Sequence, residues 1–306
     1  MHEPIGFIGL GAMGLPMLAN LSRDQQLTIY AHDLSEIPLR KLESEAAFGR
    51  TLFGNRTLEP FRQCVIVITM LPNSRATNAA ILGADGSKGL AHFLPRGSTI
   101  IDMGSSDPIE TMRLISILAE SGIRLIDAPV SGAVAKARTG ELSIMVGGDA
   151  AVVEELRPIL ARMGSRLIPT GKPASAHAMK ALNNYVYAAG LLAVAEATAI
   201  AEAMELNTAI FADVLNASSG RNVASETKLK PFILPRTYSG GFALSLQAKD
   251  LAIAHNLQQK YAVETPQLEL CAALWAEALQ VLPENADNTA IHRFIHNRVH
   301  PATKAN

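Results

Sequence analysis

Lys180 and Asn184 stand four residues apart in AHAMKALNN (176–184), a stretch whose Ala, Met and Leu favour helix. Four residues is one helical turn, so the two side chains project from the same face. The segment that follows, YVYAAGLLAVAEATAIAEAMEL, is apolar around most of a helix circumference, the pattern of a buried helix. A lysine and an amide at the head of such a helix have two readings. One is a cation snorkelling to solvent and an amide capping a loop. The other is a proton carrier beside a hydrogen-bond donor. A lysine aimed at a reacting oxygen removes or delivers its proton, and burial near other cations brings a lysine's pKa toward neutrality. An amide one turn along donates to the same small molecule and fixes its orientation.

A second group of residues points to a nucleotide site. GFIGLGAMG sets Gly9, Gly11 and Gly14 as G-x-G-x-x-G, after an apolar run and at the opening of a helix. Asp33 follows Gly14 by 19 residues (33 − 14), at the end of the second apolar run. Strand, glycines, helix and acid together form the dinucleotide-binding fingerprint. Gly9 permits the tight turn, and Gly14 allows close helix–strand packing. Gly11 lets a pyrophosphate approach the backbone around Ala12 and Met13, where the helix N-terminus favours anions. The Asp33 carboxylate accepts from ribose hydroxyls and repels a 2′-phosphate. No arginine directly follows it in YAHDLSE, so the expected cofactor is NAD in preference to NADP. MLPNS (70–74) and DMGSSDP (102–108) close what read as the third and fourth strands. They bring Leu71, Pro72 and Ser105 to the crevice beyond the strand ends, where open α/β sheets bind ligands.

These residues need a scaffold, and the pattern of the chain describes one. IGFIGL, LTIYAHD, CVIVITML, STIIDMG, RLIDAPV, LSIMVGG and SRLIPTG are short apolar runs separated by helical stretches. That alternation means βαβ units and a parallel sheet. After PTGKP no further buried strand is evident, and Ala-rich helical segments run nearly to the end. The expected division is a dinucleotide-binding domain over 1–168 and an all-helical domain for substrate and oligomer contacts over 169–306. The 306 residues are 48% hydrophobic and carry a net charge of −1. That suffices for sizeable cores and gives no basis for nucleic-acid or anionic-membrane binding. Cys64 and Cys271 fit a reduced compartment as small core residues. MHEPIGFIGLG lacks a basic n-region ahead of an apolar stretch, so a cytoplasmic protein is expected. Glu196 and Glu202 interrupt the one long apolar run, which therefore reads as a buried helix rather than a membrane span.

Four stretches, GFIGLGAMGLPMLANL, DAPVSGAVAKARTGELSIMVGGD, HAMKALNN and QAKDLAIA, resemble the β-hydroxyacid dehydrogenase family. They run in the family's order from residue 6 to residue 254. The resemblance implies a Rossmann-type doubly wound N-terminal domain, a long interdomain helix and an all-α C-terminal domain. It also implies an NAD(P)-dependent dehydrogenase acting on CH–OH groups of small β-hydroxy acids, assembled as a homodimer or homotetramer. Lys180 falls on the family's catalytic lysine, and Asn184 on the helix amide that helps hold the substrate. Ser131 and Gly132 fall on the positions that bind its carboxylate. Lys249 falls on a lysine lining the site beside the cofactor, and Ser105 where many members carry a threonine near the nicotinamide. The chain departs from the family in having Ala133 and Lys136 in a loop that is often S-G-G-x-x-G. Ala174 and Ala176 stand where glycines commonly precede the catalytic helix. Two rival functions remain. Imine reductases resemble this scaffold but usually lack lysine at the position of Lys180, and a non-catalytic NAD-binding sensor would not need Lys180, Asn184 and Ser131 together.

Other residues carry weaker signals. Arg221 in SSGRN is either an anion clamp or an exposed turn residue, and Phe242 either a pocket wall or a core aromatic. Asp250 reads as a structural cap or pair, and His32 as an exposed loop residue. His177, one turn before Lys180, has an open role in tuning it. His292, His296 and His300 sit at helical spacing, but no carboxylate or cysteine joins them in the motif, so no metal site is expected.

Overall fold

The computed structural model describes residues 3–44 and 48–299. The chain forms two compact units, Met1–Lys180 and Ala181–Asn306. The first alternates strand and helix: β1 (Ile5–Ile8), α1 (Gly14–Leu21), β2 (Ile29–His32), α2 (Glu36–Leu42), β3 (Leu52–Asn55), β4 (Ile66–Thr69), α3 (Ser74–Leu82), β5 (Thr99–Asp102), α4 (Pro108–Glu120) and β6 (Arg124–Asp127). These strands order as β3-β2-β1-β4-β5-β6, all parallel. Then come β7 (Val130–Ser131), α5 (Ala133–Thr139), β8 (Ser143–Gly147), α6 (Ala150–Leu160) and β9 (Arg166–Gly171). β8 runs antiparallel to β6 and β7 and parallel to β9.

Phe7, Ile68, Ile101 and Ile126 occupy one register across the sheet and share a core with α1. Their neighbours Val67, Ile100 and Leu125 point to the opposite face and a second core. Apolar cover on both faces explains why these strands read as unbroken Ile/Val runs. Two strands differ from the sequence expectation. LFGN (52–55) is an edge strand, and only its Leu52 is buried. RLIDAPV is two strands rather than one, because Pro129 has no N–H to continue a ladder. MLPNS and DMGSSDP therefore follow the fourth and fifth strands. His32 also differs: it is a buried strand residue whose Nδ1 meets the Asn55 carbonyl at 2.9 Å, tying β2 to the edge strand.

Helix α7 (Ser175–Ala203) opens in the first unit and continues through the second. It has the length and apolarity of a membrane span, and 44% of its most apolar window is buried within this chain. In the second unit it is followed by α8 (Thr208–Ala217), a π-helical segment (Ser225–Ile233), α9 (Leu244–Tyr261), α10 (Pro266–Val281) and α11 (Ile291–Val299). Their core centres on the fully buried Trp275, with Leu191, Leu229, Leu251 and Ile291.

His292 and His296 meet a carboxylate from outside their own motif, that of Glu202 on α7. Glu202 Oε2 lies 2.8 Å from His296 Nδ1 and 3.7 Å from His292 Nε2. Tyr238 Oη meets His292 Nδ1 at 3.2 Å. His300 lies outside the described residues. Among those residues no group of three or more His, Cys, Asp or Glu side chains is arranged to hold a metal ion. Burial holds the His292 pKa down at about 4, against the opposing pull of Glu202. The unfolded chain therefore binds a proton at this position between about pH 6.5 and about pH 4 that the folded chain refuses. The neutral ring's contribution to stability is complete above that window and is lost as pH falls through it. Urea midpoints measured from pH 7 down to pH 4.5 should fall more steeply for the wild type than for His292→Gln. Parallel slopes would show that His292 is not the titrating group.

Candidate active site

The glycine-rich turn after β1 has the steric features a pyrophosphate needs. Gly9 has φ +95°, and a Cβ there would collide with the Met70 carbonyl. A Cβ on Gly14 would collide with the Gly9 carbonyl, so helix and turn touch backbone to backbone. At Gly11 a Cβ would meet nothing within 4 Å, so this glycine faces open space. Helix α1 starts here with no side-chain cap and no acid in its first turn. Within the helix the Leu15 and Met17 N–H groups are taken by the Gly11 and Met13 carbonyls and Pro16 has none, so an anion here would meet the turn's N–H groups just ahead, around the exposed Ala12 and half-buried Met13. Asp33 holds the turn in place, accepting from the Leu10 N–H at 2.7 Å and from the Ser35 N–H at 2.7 Å. Each of its oxygens keeps a lone pair for a ribose hydroxyl. Leu34 beside it is 97% exposed.

The loops after β4 and β5 meet at the same end of the sheet. A Cβ on Gly104 would sit 2.6 Å from the Leu71 carbonyl, so the segment Leu71–Pro72 lies against Gly104–Ser105. Asp102, at the end of β5, is 2% exposed and accepts from Thr69 Oγ1 at 3.0 Å, Gly104 N–H at 3.1 Å and Ser106 Oγ at 2.6 Å. The carboxyl ends of β1, β2, β4 and β5 thus gather the residues that the sequence singled out for a dinucleotide, and their shapes fit one.

Asp127, at the end of β6, is fully buried and holds the first turn of α7. Its carboxylate accepts from the N–H groups of Ala174 at 2.8 Å, Ala176 at 2.8 Å and His177 at 3.0 Å. A negative charge against three N–H groups at a helix N-terminus is satisfied by hydrogen bonds and macrodipole together. Sequence reasoning missed this role because Asp127 and Ala174 are 47 residues apart. Lys180, half-buried, lies one turn further along α7. Two of the three alanines noted in place of family glycines prove costly to the backbone. Ala174 has φ +64° and Ala133 φ +55°, a region that costs a residue with a Cβ about 1–2 kcal/mol. Ser131 ends β7 half-buried, and Gly132 has φ +138°. A Cβ on Gly132 would lie 2.9 Å from the Lys136 Cβ and Cδ, so the Lys136 stem folds over this glycine.

In the second unit Asn184 is 7% exposed and oriented on both sides. Its Nδ2 donates to Asp250 Oδ2 at 2.5 Å, and its Oδ1 accepts from Asn183 Nδ2 at 3.1 Å. The other oxygen of Asp250 pairs with Lys249 Nζ at 3.1 Å. Asp250 is thus the link between two candidate site residues, a more specific arrangement than its sequence suggested. Gln247, also buried, donates to the Asn184 carbonyl at 3.1 Å and anchors α9 on α7. Arg221 lies on an exposed turn, 3.6 Å from Glu226. Phe242 is half-buried in a loop whose N–H groups at Gly241 and Phe242 are held by Asp287.

A parallel sheet in the order 3-2-1-4-5-6, with a glycine-rich first turn and an acid ending its second strand, defines a dinucleotide-binding oxidoreductase domain. Comparison with known proteins gives the family. Residues 4–171 match the family model described as the NAD binding domain of 6-phosphogluconate dehydrogenase. Residues 174–295 match that of the NAD-binding of NADP-dependent 3-hydroxyisobutyrate dehydrogenase. The chain is 33% identical to 2-(hydroxymethyl)glutarate dehydrogenase of Eubacterium barkeri over 271 residues, 89% of this chain and 87% of that one. It is 33% identical to NAD-dependent L-serine dehydrogenase of Pseudomonas aeruginosa over 283 residues, 89% of this chain and 91% of that one. The structure of Mycobacterium tuberculosis 3-hydroxyisobutyrate dehydrogenase with L-serine superposes with TM-score 0.84 at 25% identity, covering 96% of this chain and 99% of that one. The chain belongs to the β-hydroxyacid dehydrogenase family. It is an NAD(P)-dependent oxidoreductase of the class that acts on CH–OH groups of hydroxy acids.

Proposed function

We propose that the protein transfers a hydride reversibly between NAD and a small β-hydroxy acid, with Lys180 as the general acid–base. The observation that carries this reading is the placing of Lys180 and Asn184 one turn apart on a helix whose first turn is clamped by Asp127. The bound nicotinamide accepts or returns the hydride. The protein's own residues handle the proton and the geometry. In oxidation, the hydroxyl proton passes to Lys180 Nζ as the C–H electron pair leaves carbon. In reduction, the same nitrogen delivers the proton to the carbonyl oxygen. Asn184 has a second Nδ2 hydrogen free of Asp250, and it donates to the substrate to hold the reacting oxygen in place. Ser131 and the backbone at Gly132 take the substrate carboxylate, and Lys249 serves both substrate and cofactor. Gly9, Gly11, Ala12, Met13 and Gly14 receive the pyrophosphate, Asp33 the ribose, and Leu71, Pro72 and Ser105 the nicotinamide half.

The two named relatives are dehydrogenases of 2-(hydroxymethyl)glutarate and L-serine. Both compounds place a primary alcohol on the carbon next to the one bearing a carboxylate, which supports a 3-hydroxy acid as the substrate class here. NAD preference is supported by Asp33 and by the state of the nearby arginines: Arg40 and Arg56 both pair with Glu36. We further propose a homo-oligomer. Leu182, Val186, Ile200, Met204, Ile210 and Val214 are large apolar side chains left exposed on α7, α8 and the turn between them, more than a lone subunit usually shows water.

Lys180→Ala should fold, bind NAD and lose about 10²-fold or more in kcat on the best of a panel of 3-hydroxyisobutyrate, L-threonate, glycerate and serine. Full kcat in the folded variant would remove Lys180 from the chemistry. Asp33→Ser combined with Leu34→Arg should raise kcat/KM with NADP relative to NAD, since a repulsive charge leaves and a phosphate partner arrives. An unchanged ratio would mean that Asp33 does not read the ribose. Light scattering at micromolar concentration should give a multiple of the 32.6 kDa chain mass; a single monomeric species, active on dilution, would overturn the oligomer.

A further inference from the structure

We propose that His177 is a positioning residue that sets the turn of α7 carrying Lys180 against α4 and the ends of β5 and β6, and so against the Gly104–Ser106 loop. The inference rests on the proposed role of Lys180 and extends it to a residue that touches neither substrate nor cofactor.

His177 is 1% exposed and precedes Lys180 by three residues on the same helix. Two parts of it are held by different elements of the sheet unit, and a third faces another. Its backbone N–H donates to Asp127 at the end of β6. Its Nδ1 meets Thr111 Oγ1 of α4 at 2.8 Å, and that hydroxyl donates onward to the Asp107 carbonyl at 3.0 Å. Its Nε2 lies 3.8 Å from Asp102 Oδ2 at the end of β5. The same carboxylate fixes the loop after β5, by accepting from Gly104 N–H and Ser106 Oγ on either side of Ser105. One imidazole therefore spans from the helix that presents the acid–base group to the loop assigned to the nicotinamide.

A ring with a purely packing role would not be built this way. Buried polar atoms are normally hydrogen-bonded, and an apolar side chain of similar volume would avoid the cost of those that are not. His177 Nε2 is buried without a hydrogen bond, facing a buried carboxylate just beyond hydrogen-bond range. Held at Nδ1 by Thr111 and at its backbone by Asp127, the imidazole fills the gap to Asp102 and so sets the spacing of the two elements. Hydride transfer needs that spacing, because misplacing a reacting group by about 1 Å costs on the order of 10²-fold in rate.

The test uses full-length protein and steady-state kinetics with NAD and the best hydroxy acid. His177→Leu keeps bulk and removes both ring nitrogens. It should lower kcat by about 10- to 100-fold while leaving both KM values within about threefold, the split expected when aim is lost and binding is retained. His177→Asn, whose amide stands where Nδ1 does and can keep the Thr111 contact, should recover more of kcat than His177→Leu. Thr111→Val, which preserves shape, should cause a smaller fall in the same direction and gives an independent reading if His177→Leu does not fold. A folded His177→Leu or Thr111→Val protein with unchanged kcat and only a lower melting temperature would overturn the proposal. Lys180→Ala, measured alongside, separates the two claims. If it retains activity, the acid–base assignment fails; if it is inactive while the His177 and Thr111 variants turn over normally, only the positioning role fails.

Discussion

The Asp127 carboxylate is the interaction on which the rest of the arrangement depends. It sits at the end of a buried parallel strand and accepts from three N–H groups at the head of a 29-residue helix. Helix geometry then carries that anchor forward: His177 and Lys180 follow at a one-turn interval, so fixing the first turn fixes the direction of both. Its neighbours adapt to it. A Cβ on Gly147 would lie 2.6 Å from Asp127 Oδ1, which leaves only glycine at that position. Ala174 accepts a left-handed backbone to bring its N–H to the carboxylate.

A carboxylate, half-buried at Asp33 and buried at Asp102, Asp127 and Asp250, serves each group of candidate residues in the same manner. Asp33 holds the glycine-rich turn, Asp102 the loop after β5, Asp127 the start of α7, and Asp250 both Asn184 and Lys249. Such groups are costly to bury unless their hydrogen bonds are satisfied. Here they are spent on backbone N–H groups and polar side chains whose orientation the proposed reaction needs. Family membership says that hydride chemistry on a hydroxy acid is the business of this scaffold. It does not choose the acid, and the loop from Ser131 to Lys136 is where this chain departs most visibly from the family pattern.

Local signals in the chain were enough for much of this. Gly9, Gly11, Gly14 and Asp33 form a spaced motif with one steric role each, and the Ile/Val runs declare a sheet covered on both faces. Lys180 and Asn184 were legible because one helical turn relates them. What was not legible is relational over long separations. Asp127 is 47 residues from the first N–H it accepts from, Thr111 is 66 from His177, and Asp250 is 66 from Asn184. No spacing rule connects such pairs before the chain folds. The edge strand at 52–55 was missed for a different reason: with Gly54 and Asn55 and a single buried side chain, LFGN lacks the apolar density that marks central strands.

The central claim is geometric, and a crystal structure of the ternary complex with NAD and a non-reacting hydroxy-acid analogue tests it most directly. The reacting oxygen should lie within hydrogen-bond reach, about 2.6–3.2 Å, of both Lys180 Nζ and Asn184 Nδ2, with the carboxylate at Ser131 and Gly132. A complex in which that oxygen rests on other donors, with Lys180 Nζ more than about 4 Å away, beyond any hydrogen bond, would contradict it.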